Sequence, residues 1–464
     1  MADDVKILLS ESELPQRWYN LAADLPDRLP PPLNAQTRQP LSYGDMSSLT
    51  PRDLTRQETA TDPYIDIPDD VLRAYRQWRP TPMFRARALE RSLKTPARIY
   101  YKYEGGSATG SHKVNTAIPQ AYYNAQRGTR RLTTETGAGQ WGTALAYACA
   151  QFGVQCEVWW AGSSYDQKPY RKIMMETFGA TVHRSPSPVT DVGRKALADD
   201  PNSNGSIGLA VSEAVEIALA DEESGYALGS AVNHVLLHQT VIGEEALRQF
   251  AIADDYPDVV ISCVGGGSSL GGVAFPFLRE KLHGGREVRI VAAEPTACPA
   301  LTRGRYAFDH GDREGLTPLM KMYTVGHTFV PDPIHAGGLR YHGMAPLVSY
   351  AYHHKLIEAA AWKQSECFVA GMEFAQAEGI IAAPESTHGL AAAIAEARRC
   401  AETGEEKAIF VLLTGHGLLD LSAYDAYLSG ELVDTALSEE QLQESLASVP
   451  DITFGAADPS RRTA

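Results

Sequence analysis

Lys113 stands in the run GSHKVNTA, where a turn gives way to a helix-forming stretch. A lysine in the first turn of a helix meets the positive end of the macrodipole, which favours its neutral amine. A neutral amine is the form that condenses with a carbonyl to give a Schiff base. Most lysines at helix starts are simply solvated, so this one gains meaning only from its company. Downstream, VVISCVGGGSSLGG carries an apolar strand into Gly265, Gly266 and Gly267, then Ser268 and Ser269, where a helix starts. Consecutive glycines let backbone N–H groups turn toward an anion; the helix start adds positive potential and the hydroxyls add donors. A tight strand-to-helix turn is the plainer reading, but it needs fewer glycines. The GK[ST] ending of a nucleotide-triphosphate loop is absent, which leaves a phosphate cradle built without lysine.

A second glycine loop, TTETGAGQWGTALA, holds Glu135, Thr136, Gly137, Ala138, Gly139 and Gln140. Gly137, Gly139 and Gly142 form a literal GxGxxG between a strand and a helix, and Glu157 lies about 20 residues beyond Gly137, as in a dinucleotide fingerprint. The acid that binds ribose should close the second strand, whereas Glu157 lies inside VQCEVWW. The amides of TGAGQ suit a small carboxylate equally well. Glu135 falls at the C-terminal end of a strand, where ligands of open α/β sheets bind; the alternative is an exposed loop acid. In AIFVLLTGHG, Thr414 puts a neutral hydroxyl at another strand end, able to bond a pyridine nitrogen without fully protonating it. His234 and His238 share a helical face with no HExxH or carboxylate pattern, so they read as a structural pair, and no metal site is expected. A Schiff-base lysine, a phosphate cradle and a carboxylate cradle together are what a pyridoxal 5'-phosphate enzyme acting on an amino acid requires.

These loops need sheets to hold them. From residue 97 onward, strand-like runs (ARIYYKYE, RLTTE, VQCEVWW) alternate with helical ones, and the pattern restarts with DVVISCV, VRIVAAEP and KAIFVLLTG. Such alternation implies parallel sheets covered by helices on both faces. The expected fold class is α/β, with two doubly wound, mostly parallel-sheet domains, a ligand crevice between them and an N-terminal arm. The arm spans 1–80, where PDRLPPPLNAQTRQPLSYGD shows no sustained period. One domain takes 81–232 with Lys113 and the carboxylate loop; the other takes 233–464 with the phosphate loop, the two interleaving near 80–112. Residues 296–365 read as an active-site loop, and the tail after 448 as frayed. The 464 residues carry 57 acidic and 42 basic side chains, a net −15 that argues against nucleic acid as a partner. No apolar run reaches the ~18 residues of a membrane span, and the polar, acidic start lacks signal-peptide grammar. Six scattered cysteines without a CxxC pair suggest neither a disulfide framework nor a zinc ribbon, so the expected location is the cytoplasm.

The arm ELPQRWYN…LPPPL and the runs RPTP, YYKYEG, TGSHKVNTA, ETGAGQWGTALA, CVGGGSS, HAGGLRYHGMAP, EGIIAAPESTHGLAAAI and LLTGHG resemble the β chains of tryptophan synthase, and more closely their longer second subfamily, often found without a tight α-chain partner. The resemblance covers nearly the whole chain and implies a fold-type-II pyridoxal phosphate lyase. It implies β-replacement of L-serine by indole through an aminoacrylate, in a homodimer with a weak or absent α-chain partner. Lys113 would carry the cofactor and shuttle the α-proton, His112 and residues 265–269 would bind its phosphate, Thr414 would face the pyridine nitrogen, and Glu385 would lie near the ring. Glu135 would assist loss of the β-leaving group, and Thr136 to Gln140 would hold the substrate carboxylate. Arg340, in HAGGLRYHG, becomes a candidate contact for substrate or leaving group. The chain departs from the pattern at Thr414 (usually serine), at Leu418 and Leu419 after GHG, at Ala108 and at Ser269. These leave open O-phosphoserine as donor or a nucleophile other than indole. From other classes, a dehydrogenase using residues 137–142 and a non-catalytic binding protein remain alternatives; an intact Lys113 and Glu135 speak against the latter.

Overall fold

The computed structural model describes residues 5–46 and 50–452. Seven strands form the larger sheet, in the spatial order Lys6–Ile7, Met83–Arg85, Arg98–Tyr103, Ala408–Leu413, Val259–Cys263, Arg289–Pro295 and Glu358–Trp362. The last five run parallel, and the first two short strands are added by antiparallel pairing. VVISC and AIFVLL are buried at every position, as strands covered on both faces must be. The smaller sheet is wholly parallel, in the order Thr181–Ser185, Gln155–Ala161, Arg131–Thr136 and Ser224–Tyr226. The fold is therefore α/β with mostly parallel sheets. Helices Val114–Arg127 and Gln140–Phe152 flank the smaller sheet's central strand in sequence, and Gly128 closes the first of them at a φ of 85°.

The chain crosses between the two sheets at the end of the stretch 80–112. Strands Met83–Arg85 and Arg98–Tyr103 belong to the larger sheet, although the chain next builds the smaller one and returns to the larger only at Val259. The N-terminal segment is also more than a surface arm. Trp18 and Tyr19 are fully buried, their strand Arg17–Tyr19 pairs with Tyr64–Asp66, and Val71 and Tyr75 enter the core from helix Asp69–Tyr75. The elements are short: even helix Asp69–Tyr75, with Val71, Leu72, Ala74 and Tyr75 buried, spans only seven residues, too few to establish a sustained period. Residues 296–365 are likewise not a simple loop. They contain the antiparallel hairpin Arg305–His310/Leu319–Thr324, helix Pro346–His353 and the edge strand Glu358–Trp362. In the tail, Val449 is buried, and 453–464 fall outside the described residues.

One polar cluster fixes how these pieces meet. Arg79 donates to Glu104 at 2.8 Å and to Glu245 at 2.9 Å, and Lys102 Nζ reaches Glu245 at 2.7 Å. All four side chains are at most 1% exposed, and two cations balance two carboxylates. Burial alone would raise the Glu104 carboxyl, but Arg79 and Lys102 outweigh it and hold the group at about 2. Thr81 and Gln249 complete the bonding, and Asn115 bridges Arg79 and Glu104 at 2.9 and 3.0 Å. Arg79→Met would leave two buried carboxylates facing one cation. Breaking such a set by removing one partner costs about 3–5 kcal/mol, and we expect a loss of that size in urea denaturation. A midpoint unchanged from the native protein would show the cluster to be dispensable.

Candidate active site

Lys113 is the N-cap of helix Val114–Arg127, one position before the first turn. Its Nζ donates to Gly229 O at 2.6 Å and to Ser268 Oγ at 2.8 Å, which places the lysine against the glycine run of the other sheet. The amine is lowered to about 8, as the sequence suggested, but burial is the cause; Glu135, Cys263 and Glu385 oppose it. His112 is 5% exposed, with Nε2 3.2 Å from Ser268 Oγ and Nδ1 3.3 Å from Thr414 O. Burial, helped by Lys113, lowers its imidazole to about 3, so the ring is neutral at physiological pH.

Strand Val259–Cys263 leads through Val264 into Gly265, Gly266 and Gly267, and Gly267, with φ at 104°, caps helix Ser268–Leu282. A Cβ on Gly265 would lie 2.2 Å from Gly338 O, and one on Gly266 would lie 2.3 Å from Ser230 Oγ. The run therefore lacks side chains because other chain segments occupy their places. Ser268 faces Lys113 and His112, whereas Ser269 Oγ turns back to Cys263 O at 2.7 Å. Ser230 Oγ is buried beside the run without a hydrogen-bond partner among the described residues.

The carboxylate loop follows strand Arg131–Thr136, and Gly139, with φ at 91°, caps helix Gln140–Phe152. Thr136 Oγ1 accepts from Gly142 N at 3.1 Å, and Trp160 Nε1 donates to Gly137 O at 2.9 Å. Glu385, in the first turn of helix Pro384–Thr403, bridges two loops: it accepts from Gln140 Nε2 and from Gly338 N, each at 3.0 Å. Thr414 Oγ1 sits 2.9 Å from Ser386 Oγ. Glu135 is 5% exposed, and burial raises its carboxyl to about 7 against the opposing bond from Tyr226.

A cavity of about 60 Å³ brings Lys113, Glu135, Gly266 and residues 136–138 and 140 together. Trp141, Ile207, Val211, Leu228 and Tyr341 form its apolar wall. Sequence reasoning missed this wall, Tyr226 and Ser386, because apolar core residues and a lone serine carry no motif of their own. Arg340 lies elsewhere. It lines a separate cavity of about 550 Å³ with Lys195 and Arg313, and its guanidinium donates to Ser163 Oγ and Pro331 O, both at 2.6 Å. Glu157 is taken by Arg131 at 3.0 Å and His183 at 2.8 Å, which removes the ribose-binding acid a dehydrogenase would need. His234 bonds Glu58, and His238 bonds Gln57 and Thr116, so both histidines are spent on packing the N-terminal segment.

The family model for pyridoxal-phosphate dependent enzymes matches residues 75–415. The tryptophan synthase beta chain 2 of Methanosarcina acetivorans is 54% identical over 93% of this chain and 98% of its own. That of Thermotoga maritima is 54% identical over 90% and 99%, and the tryptophan synthase beta chain of Thermococcus onnurineus 51% over 93% and 97%. A fungal L-serine ammonia-lyase from Rhizomucor miehei shares the fold, with a TM-score of 0.56 at 17% identity over 76% of this chain and 98% of that one. This chain belongs to the pyridoxal-phosphate dependent enzymes, in the family of the tryptophan synthase beta chains.

The site fits that cofactor. A partly buried lysine of lowered basicity, a glycine run leading into a helix and a buried serine hydroxyl without a partner among the described residues converge within it. Gly265→Ala tests the cradle, because its Cβ would collide with a backbone carbonyl that has little room to give. After dialysis the variant should retain little pyridoxal phosphate by absorbance while keeping native far-ultraviolet circular dichroism. Full occupancy would place the phosphate elsewhere.

Proposed function

We propose that the site performs β-replacement, exchanging the β-hydroxyl of L-serine for indole to give L-tryptophan and water. The observation that carries this reading is the single cavity in which Lys113 and Glu135 share an apolar wall beside the TGAGQ loop. Pyridoxal phosphate, when bound, supplies electron withdrawal from the substrate's Cα. Lys113 would hold it, His112, residues 265–268 and the adjacent Ser269 would take its phosphate, and Thr414 and Glu385 would face its ring.

The chain's own groups do the rest. The amides from Thr136 to Gln140 bind the serine carboxylate at a helix start, where the macrodipole favours an anion. Lys113, lowered to about 8, has a substantial neutral fraction near physiological pH, so its Nζ can take the α-proton and later return it. Glu135, near 7, is present in both protonation states. Its acid form protonates the departing hydroxyl as the Cβ–O bond breaks; its carboxylate then accepts the proton that indole loses when C3 bonds to Cβ. Trp141, Ile207, Val211 and Leu228 exclude water and suit a flat apolar nucleophile better than a charged one. The same reading carries a homodimer in the cytoplasm with a weak or absent α-chain partner.

Lys113→Ala should abolish serine-plus-indole turnover while the fold persists, because both the anchor and the proton carrier are lost. Near-native turnover in that variant would remove the lysine from the mechanism. Glu135→Gln should retain the cofactor and bind serine, yet lose ~10²–10⁴-fold in kcat, the usual worth of a general acid–base group. An unchanged kcat with a lowered melting temperature would make Glu135 a structural acid.

A further inference from the structure

The two oxygens of Glu135 are not equivalent. Oε2 accepts from the Tyr226 hydroxyl at 2.6 Å and lies 3.5 Å from Thr134 Oγ1, whose shorter bond is to Ala227 O at 2.6 Å. Oε1 accepts no hydrogen bond from another residue among the described residues, although Glu135's own backbone N–H also bonds the carboxyl and favours its charged form. The sheet register produces this pairing: Tyr226 lies opposite Thr133 on the neighbouring parallel strand, so Glu135 is its diagonal neighbour two residues on. The other polar groups facing the carboxyl are committed. Lys113 Nζ serves Gly229 O and Ser268 Oγ, and the Tyr341 hydroxyl, although its ring lines the cavity, donates to Gly311 O at 2.7 Å. Asp312 adds negative charge near Tyr226 but is itself held by Ser212 and Thr317.

We propose that Tyr226 is a positioning residue for Glu135: its hydroxyl, a fixed donor to Oε2, confines the exchangeable proton to Oε1 and so decides which oxygen serves the β-carbon. The proposal rests on the reading of Glu135 as the proton-moving group. Burial raises the Tyr226 phenol well above its ordinary range, with the charge of Glu135 as the next cause, so it stays a donor throughout the working pH. A hydrogen bond made to the charged form stabilises that form, so the same contact holds the Glu135 carboxyl below the value burial alone would give.

The test uses cofactor-loaded enzyme. Tyr226→Phe keeps the ring and removes the donor. The Glu135 carboxyl band, followed by pH-difference infrared spectroscopy and assigned by its loss in Glu135→Gln, should then titrate at higher pH. The kcat for serine plus indole should fall about 10–100-fold, the range that one hydrogen bond to a charged group supports, with KM for serine little changed. In the double variant with Glu135→Gln, removing the Tyr226 hydroxyl should cost almost nothing more. Substituting 3-fluorotyrosine at 226, a stronger donor of nearly the same shape, should move the band the other way and covers the case in which Tyr226→Phe folds poorly. A carboxyl band that titrates as in the native enzyme in Tyr226→Phe, or that fails to move downward with 3-fluorotyrosine, overturns the proposal. So does a loss that adds fully to that of Glu135→Gln. If Glu135→Gln itself retains native kcat, the underlying reading of Glu135 fails instead.

Discussion

Four charges removed from water set the terms for the rest of the molecule. Arg79, Lys102, Glu104 and Glu245 come from the end of the N-terminal segment, a central strand, the loop after it and helix Val241–Ala253. An unmatched charge at such depth costs several kcal/mol, so the elements can assemble only where all four partners arrive together. Asn115, bonded to both Arg79 and Glu104, stands two residues after Lys113. The lysine's turn is thereby fixed from behind by an electrostatic constraint and from in front by Gly229 and Ser268. The strand RIYYKY carries Lys102 fully buried among tyrosines, and the cluster explains why that lysine is tolerated.

A second buried set joins the two sheets. Lys168 and Arg171, flanking the start of helix Pro169–Thr177, pair with Asp420 at 2.8 and 2.6 Å, and Asp420 lies just past the Thr414–Gly417 turn that ends a strand of the larger sheet. Burial would raise Asp420, but Arg171 and Lys168 outweigh it and hold the carboxyl at about 2. Lys168 also donates to His335 O at 3.1 Å, and the aliphatic part of Arg171 occupies the space a side chain on Gly139 would need. The carboxylate loop, the HAGGLRYHG loop and the strand-end threonine are thus referred to one point. Glu385 repeats the pattern on the cavity side, bridging Gln140 and Gly338.

The sequence made some of this legible and hid the rest for physical reasons. VVISC, AIFVLL and RLTTET read as strands because burial on both faces demands apolar or β-branched residues at nearly every position. Lys113, the GGGSS run and TGAGQ stood out because glycines recur where a strand turns into a helix with no room for side chains, and the fold brings these segments to one cavity. EAAAW, the edge strand at 358–362, was not, since alanine has little strand preference and one face remains partly solvated. Trp18 and Tyr19 were obscured by the proline-rich chain that follows them; single anchors leave no period to detect. Lys113's lowered basicity was expected from the helix dipole, yet desolvation is the larger cause, and desolvation is set by distant segments that no local window contains. Arg340, a candidate that only the resemblance supplied, has its side chain on a different cavity from the one Lys113 and Glu135 line.

The chemistry of the site follows from one property, burial acting on two groups of opposite charge type. Desolvation disfavours whichever form is charged, so it lowers an amine and raises a carboxyl. Lys113 comes down to about 8 and Glu135 goes up to about 7, and their mutual attraction limits both movements. Two groups that in water would be fully charged at neutral pH are brought to where each exchanges a proton readily, without a metal ligand set among the described residues. On the proposed reading, the apolar residues lining the same cavity would also bound the space for indole, so proton-transfer capability and selection for an apolar nucleophile would share one cause. Enlarging that wall with polar residues to admit other nucleophiles would rehydrate Lys113 and Glu135 together and return both toward their ordinary values. On that reading, substrate range and proton transfer at this site would be coupled through the same few side chains.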